Sequence, residues 1–206
     1  MMVDKNKTEV IALIDETGSM FNKTKDVVGS VNSFIEEQQG VGIDDECLFT
    51  LKFFNSNIEG MIEDIEYRND INDVEKITEE QYQPRGNTPL LDAIGKTITE
   101  FGSLFDEMEE HEKPANVIMY IYTDGKENYS SEYDKQQIKS MVEEHENVWN
   151  WDFIFVEADP SAFGQGKSFG FSDESINQYF CASEGIKLSS RKMSGQTIQS
   201  RMGESD

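Results

Sequence analysis

The sequence predicts an α/β fold that is doubly wound, with helices on both faces of a mostly parallel sheet. Two observations lead to this prediction: four continuous apolar runs of strand length, and amphipathic helical stretches between them. Continuous apolar runs are typical of parallel strands that are buried on both faces. Strands that alternate with helices along the chain then predict a Rossmann-like arrangement.

The four buried strands are predicted at residues 9–14 (EVIALI), 47–54 (CLFTLKFF), 116–123 (NVIMYIYT) and 152–157 (DFIFVE). Residues 58–65 (IEGMIEDI) alternate and carry charge, which predicts one antiparallel edge strand, joined to the second strand through residues 55–57. Three helices, each with an apolar stripe, are predicted at residues 21–39, 90–108 and 132–147. Trp149, Trp151, Phe153 and Phe155 alternate, which predicts core packing along one strand.

One domain is predicted over residues 1–206, with a core at about residues 8–158 and the remainder, 159–206, as an extension of the same domain. The stretch after residue 158 is rich in glycine and serine and predicts a loop with short helical turns. A last short strand is predicted at residues 177–182 and a terminal helix at residues 195–201.

The composition excludes several classes of function. The formal net charge is −23 and no basic stripe is present, which argues against nucleic-acid binding. No apolar run approaches the roughly 20 residues of a membrane span, and the N-terminus has no apolar leader, so a cytoplasmic protein is expected. Cys47 and Cys181 are expected to be free and buried, and with only His111 and His145 as histidines, a zinc site is not expected.

Oxygen-bearing side chains stand where two predicted strands end and one predicted helix begins. In an open α/β sheet, ligands bind beyond the carboxyl ends of the strands, where the strand order reverses. Two carboxylates and three hydroxyls suit a hard cation such as Mg²⁺. The five residues are Asp15, Thr17 and Ser19 after the first strand, Thr88 before the 90–108 helix, and Asp124 after the 116–123 strand.

The string D-x-T-x-S, the threonine of "PRGNTPLLDAIG" and the aspartate of "TDGKEN" together resemble the metal-ion-dependent adhesion site (MIDAS) of von Willebrand factor A domains. The resemblance covers about residues 8–158 and is similar to the compact stand-alone domains of bacteria and phages. It implies that Asp15, Thr17, Ser19, Thr88 and Asp124 bind Mg²⁺, or else Mn²⁺ or Ca²⁺. It also implies that the hydroxyls bind directly, while one or both aspartates act through water. Thr17 departs from the family, in which serine is commoner, but keeps the hydroxyl.

The function expected from this resemblance is metal-dependent protein–protein interaction, in which a partner's Asp or Glu completes the shell of the ion. In that family such domains serve adhesion outside cells and complex assembly inside them, often beside AAA+ ATPases, so an AAA+ ATPase or assembly complex is the partner class implied. No catalytic residues are predicted, and the chain is not expected to be an enzyme. Two alternatives stay open: a hydrolase that uses the same ion to activate water, with Glu16 or Glu127 as base, and a purely structural ion.

Other residues near the motifs carry smaller expectations. Glu16 is expected as a second carboxylate at the rim of the site. Glu127 and Asn128 are expected to brace the loop after the 116–123 strand, and Tyr129 should lie near the rim. Asp92, in the first turn of its helix, and Glu127 are expected to support the site without binding the ion directly. The string "GQGKS" at residues 164–168 looks like the tail of a phosphate-binding loop, but it lacks the first glycine, so nucleotide binding is not expected.

Overall fold

The computed structural model describes residues 4–43, 45–124, 126–157, 164–172, 175–178 and 183–202. The strands in these ranges are β1 (Asp4–Asp15), β2 (Glu46–Phe54), β3 (Ile62–Asp70), β4 (Pro114–Thr123), β5 (Trp151–Glu157) and β6 (Ile176–Gln178). The helices are α1 (Thr24–Gln39), α2 (Leu90–Glu107), α3 (Lys135–Asn147), α4 (Gln165–Ser168) and α5 (Ser183–Arg201), with 3₁₀ turns at Gly18–Lys23 and Ile71–Asp73.

The described strands form one sheet in the order β3-β2-β1-β4-β5-β6. Every neighbouring pair is parallel except β2 and β3, so the predicted parallel sheet with one antiparallel edge strand is confirmed. The chain winds outward from β1 in one direction and from β4 in the other. The strand order therefore reverses between β1 and β4, which is the position where ligands bind in folds of this type.

The sheet buries an apolar layer on each face, as predicted for continuous apolar strands. Alternate residues of β1 point in opposite directions, so Val10, Ala12 and Ile14 join one core while Ile11 and Leu13 join the other. The first core is closed by α1 and α5, and the second by α2 and α3. Because helices cover both faces of the sheet, successive residues of the central strands are apolar on both sides and do not alternate between apolar and polar.

The edge strand β3 begins four residues later than predicted, at Ile62. The residues before it form the connection instead. The side chain of Asn55 accepts hydrogen bonds from the amides of Asn57 (2.8 Å) and Ile58 (3.1 Å), and Met61 has a φ of 73°. The first half of the predicted strand therefore belongs to this turn. A side chain such as that of Asn55, which accepts hydrogen bonds from backbone amides two and three residues later, favours a turn over strand pairing.

The aromatic prediction at β5 is correct for three residues and wrong for one. Trp151, Phe153 and Phe155 are buried, whereas Trp149 is 51% exposed and precedes the strand. Asn150, between the two tryptophans, has a φ of 55° and so breaks the alternation on which the prediction depended. Cys47 is buried as predicted, and burial raises the pKa of its thiol to about 12. Cys181 lies outside the described residues.

The C-terminal segment packs on the rest of the chain. Strand β6 extends the sheet beside β5 and starts one residue before the predicted strand, whose residues 179–182 lie outside the described ranges. Helix α5 begins at Ser183, twelve residues before the predicted start. It is anchored near its end by Arg201, which donates to Asp45 (2.8 Å) and to Gln38 (3.0 Å). No helix in the described part of the chain is long and apolar enough to cross a membrane.

Candidate metal centre

Asp15 is the last residue of β1 and is fully buried. Its Oδ1 accepts a hydrogen bond from the amide of Thr17 (2.8 Å), and its Oδ2 accepts one from the hydroxyl of Thr123 (2.6 Å) at the end of β4. Burial raises the pKa of Asp15, while these hydrogen bonds and the charge of Lys23 oppose that increase. Neutral donors therefore hold the carboxylate in place, and no arginine contributes to its hydrogen bonds.

Asp124 follows β4 directly and is 3% exposed. Because β1 and β4 are parallel neighbours, their carboxyl ends bring Asp15 and Asp124 to the same edge of the sheet, as the sequence predicted. The Oδ1 of Asp124 accepts a hydrogen bond from the hydroxyl of Ser19 (2.7 Å). Its Oδ2 forms an ion pair with the ammonium group of Lys23.

The three predicted hydroxyls lie beside these carboxylates. The Oγ1 of Thr17 is 3.2 Å from the Oγ of Ser19 and 3.4 Å from the Oγ1 of Thr88. Neighbouring ligands of an octahedral Mg²⁺ lie about 2.9 Å apart, because each ligand is about 2.0–2.1 Å from the ion. The hydroxyl spacings therefore fit a small hard cation after a contraction of a few tenths of an ångström.

Thr88 is placed by hydrogen bonds to the loop after β4. Its amide donates to the side-chain oxygen of Asn128 (3.0 Å), and the amide of Asn128 donates back to the carbonyl of Thr88 (3.2 Å). Helix α2 begins at Leu90, with Pro89 as its N-cap residue, so Thr88 precedes the cap. The hydroxyl of Thr88 is thus directed to Thr17 instead of capping the helix.

Two further carboxylates brace the loop after Asp124, as the sequence predicted for Glu127. Glu127 accepts hydrogen bonds from the amides of Leu91 (2.9 Å), Tyr129 (2.8 Å) and Ser130 (2.7 Å), and from the hydroxyl of Ser130 (2.7 Å). The carboxylate of Asp92, in the first turn of α2, accepts from three consecutive amides, of residues 131 to 133, at 2.8–2.9 Å. Helix α3 begins at Lys135 and not at the predicted residue 132, and the side chain of Asp134 caps it by accepting a hydrogen bond from the amide of Gln137 (2.9 Å).

Glu16 is not the rim carboxylate that the sequence predicted. It is 2% exposed, and it accepts hydrogen bonds from the side-chain amide of Asn55 (2.7 Å) and the backbone amide of Gln83 (2.6 Å). Its carbonyl also accepts from the amide of Arg85 (2.9 Å). Glu16 thus fastens the loop that precedes Thr88 to the end of β1.

The same loop depends on a glycine. Gly86 has a φ of 72°, and a Cβ atom there would lie 2.7 Å from the hydroxyl of Ser56. The carbonyl of Gly86 accepts a hydrogen bond from the amide of Gly18 (3.1 Å). This φ lies in the left-handed region, which glycine adopts without a steric penalty.

The sequence missed Lys23 and Phe21. Both lie in the 3₁₀ turn that follows β1, and the reach of Lys23 to Asp124 depends on a side-chain rotamer that no spacing predicts. Phe21 is 70% exposed beside this turn, and Tyr129, expected near the rim, is 47% exposed.

The "GQGKS" segment binds an anion of its own chain. The amides of Gly164 and Gly166 donate to the two carboxylate oxygens of Glu157, at 2.9 and 2.8 Å, and Glu157 is fully buried. A glycine-rich turn that cradles a phosphate would need these amides free. Among the described residues, no group of three or more His, Cys, Asp and Glu side chains could hold a metal ion.

No protein-family model matches the sequence, and no curated protein matches it. Solved structures do match. The chain is similar to the pilus adhesin SpaC from Lactobacillus rhamnosus GG in its open conformation, with a TM-score of 0.67 and 9% identity over 96% of this chain and 31% of that one. It is also similar to a von Willebrand factor type A structure from Catenulispora acidiphila, with a TM-score of 0.55 and 13% identity over 94% of this chain and 43% of that one.

A third match is proximal thread matrix protein 1 from the mussel byssus, solved with a zinc-occupied MIDAS motif. The TM-score is 0.59 and the identity 13%, over 93% of this chain and 48% of that one. The chain thus spans less than half the length of each of these structures. The predicted fold is confirmed: this chain has the von Willebrand factor A fold.

Proposed function

We propose that this chain is a metal-dependent protein-interaction module, in which a divalent cation receives a carboxylate from a partner protein. The observation that carries the proposal is the convergence of five oxygen-bearing side chains, from three separate segments, at the point where the strand order reverses. The proposed ligands are Asp15, Thr17, Ser19, Thr88 and Asp124. The zinc-occupied MIDAS of a protein with the same fold supports this assignment.

The proposed ion is Mg²⁺, with Mn²⁺ or Ca²⁺ as substitutes, because the donors are all hard oxygens. Three of the five are neutral hydroxyls, so two carboxylates supply all the negative charge. A dication held in this way keeps part of its charge and attracts a further carboxylate. The bound ion would supply that electrostatic attraction, while the chain's own residues fix where the partner's carboxylate sits.

We extend the proposal to a non-enzymatic role. A hydrolase would need a general base near the ion, and the sequence offers Glu16 and Glu127 for that task. Glu16 is buried and bound by Asn55 and Gln83, and Glu127 accepts four hydrogen bonds. Carboxylates committed to amide donors are poorly placed to take a proton from water.

The local charge supports an acidic group on the partner. The chain as a whole carries −23, yet the residues that flank the site include Lys23 and, at exposed positions, Arg85 and Lys126. With Glu16 buried, these cations would help to draw in an Asp or Glu side chain, and the carboxylates Glu63, Asp64 and Glu80 lie around the same pocket as Arg85. The proposed partner is a protein of an assembly complex, such as an AAA+ ATPase, in the cytoplasm.

The test is capture of partners from native lysate by the immobilised chain, with Mg²⁺ and with EDTA. Asp124→Asn is compared with Asp26→Asn, which removes the same charge from the first turn of α1. Proteins that require the ion should be retained by wild type and by Asp26→Asn in Mg²⁺, and lost with EDTA or Asp124→Asn. A buried carboxylate without its counter-charge costs about 2–5 kcal/mol, so the loss should be near complete. Equal capture by all three proteins, with Mg²⁺ and with EDTA, would sink the proposal.

A further inference from the structure

Lys23 is the last residue of the 3₁₀ turn after β1, and its side chain folds back into the candidate site. Its ammonium group pairs with Oδ2 of Asp124, and the Lys23 side chain is only 17% exposed. Burial raises the pKa of Asp15, and the charge of Lys23 is one of the influences that oppose this increase. One cation of the chain therefore acts on both carboxylates of the site.

This placement divides the oxygens of Asp124 between two partners. Ser19 donates to Oδ1 and Lys23 occupies Oδ2. Two buried carboxylates held only by neutral donors would carry a large desolvation cost, and the ammonium offsets part of it. The same ammonium would repel a dication bound between Asp124 and the hydroxyls, because two cations a few ångströms apart repel strongly even in a polar medium.

We propose that Lys23 is a tethered cation which neutralises Asp124 in the metal-free protein and leaves that oxygen when the divalent ion binds. The inference rests on the proposed metal site and adds that Lys23 competes with the metal ion for Asp124. A lysine suits this role, since its compact charge sits on a flexible four-carbon stem and can swing outward without disturbing the backbone.

Two consequences follow for the site. The exchange lowers the affinity for the ion, because the gain from metal ligation is reduced by the loss of the Lys23–Asp124 ion pair. The displaced ammonium is then free to pair with a partner's carboxylate at the rim of the site. Metal binding thereby prepares a second contact for the same acidic group.

Lys25 provides the matched control. It lies two residues further on, in the first turn of α1, and is exposed. Lys25→Met removes the same charge as Lys23→Met and changes the net charge of the protein equally. A difference between the two variants therefore reports the position of the charge and not its removal from the molecule.

The experiment is calorimetric titration of the metal-free chain with MgCl₂, repeated with MnCl₂, for wild type, Lys23→Met and Lys25→Met. Lys23→Met should bind the ion about tenfold more tightly than wild type, and Lys25→Met should stay within about twofold. In EDTA, Lys23→Met should also melt at a lower temperature than Lys25→Met, because the buried carboxylates lose their cation. If Lys23→Met aggregates, Lys23→Gln takes its place and should show the same tighter binding and lower melting temperature.

Equal or weaker binding by both Lys23 variants would overturn the competitor role while leaving the metal site in place. Absence of binding in all the proteins, wild type included, would overturn the proposed metal site itself. The two failures are thus distinguished by the wild-type titration alone.

Discussion

Two buried carboxylates on β1, six residues apart, are compensated in different ways. Both Glu9 and Asp15 are 0% exposed. Glu9 meets the guanidinium of Arg68, which reaches across from β3 with three donor–acceptor distances of 2.9–3.2 Å. Asp15 is held by the amide of Thr17 and the hydroxyl of Thr123, which carry no charge.

The difference indicates which carboxylate is structural and which is available to a ligand. A guanidinium that donates to both oxygens of Glu9 supplies a full opposite charge at contact distance. Neutral donors orient Asp15 but leave its charge largely unmatched, apart from the field of Lys23. A carboxylate whose hydrogen-bond donors are all neutral, at the carboxyl end of the sheet, beside one that is paired with an arginine in the middle of the same strand, is the pattern expected of a cation site.

The largest effect on stability is expected from removing Arg68, the partner of Glu9. Arg68→Met should lower the free energy of unfolding by about 3–5 kcal/mol at pH 8, because it leaves a buried carboxylate unpaired. Arg68 has a φ of 50°, and methionine carries the same backbone strain there, so the variant isolates the charge. Urea denaturation measures the change.

The control for that variant is Lys76→Met. Lys76 pairs with Glu36, and both side chains are more than half exposed, so the loss should stay below about 1 kcal/mol. If Arg68→Met were no more harmful than Lys76→Met, Glu9 would not depend on its arginine, and the contrast with Asp15 would fail.

The titration of Glu9 should change the free energy of unfolding by an amount similar to, or smaller than, the effect of Arg68→Met. Burial raises the pKa of Glu9 from 4.5 to about 7, against the opposing effect of Arg68. The folded chain therefore keeps a proton that the unfolded chain releases. The stabilisation from this group is complete below pH 4.5 and is lost as the pH rises through 7, by up to about 3 kcal/mol.

Glu9→Gln should remove that contribution. The difference in free energy of unfolding between wild type and Glu9→Gln should decline steadily from pH 4.5 to pH 7, whereas Glu36→Gln, on the exposed side of α1, should parallel wild type. Parallel curves for wild type and Glu9→Gln would contradict the raised pKa. The other buried carboxylates with raised pKa values, Asp15 and Glu16, contribute equally to both proteins and cancel in the difference.

The sequence predicted that Asp15 and Asp124 would meet because parallel strands end at a common edge. Asp15 and Asp124 are 109 residues apart along the chain, and their meeting follows from β1 and β4 being neighbours. The burial of Glu16 could not be predicted in the same way. Its partners, Asn55 and Gln83, come from two loops whose conformations depend on turn chemistry and not on periodicity.

The contrast between Glu9 and Asp15 was also hidden in the sequence. Glu9 is the first residue of an apolar run, a position typical of a charged residue at the end of a strand. Its pairing with Arg68 requires the irregular register between β2 and β3, which places the left-handed Arg68 opposite the middle of β2. Helix α5 was predicted too short because its composition is polar and carries little helical periodicity.

The most direct test of the central claim is the response of thermal stability to Mg²⁺. At ten times the dissociation constant, a ligand that binds only the folded state adds about 1.4 kcal/mol. For a domain of this size that corresponds to a rise of about 3–6 °C in melting temperature, which EDTA should reverse. Asp124→Asn should melt cooperatively and show no rise, whereas the charge-matched Asp26→Asn should respond as wild type does. An equal rise in Asp124→Asn and wild type would show that the ion binds elsewhere and would contradict the assignment of the site.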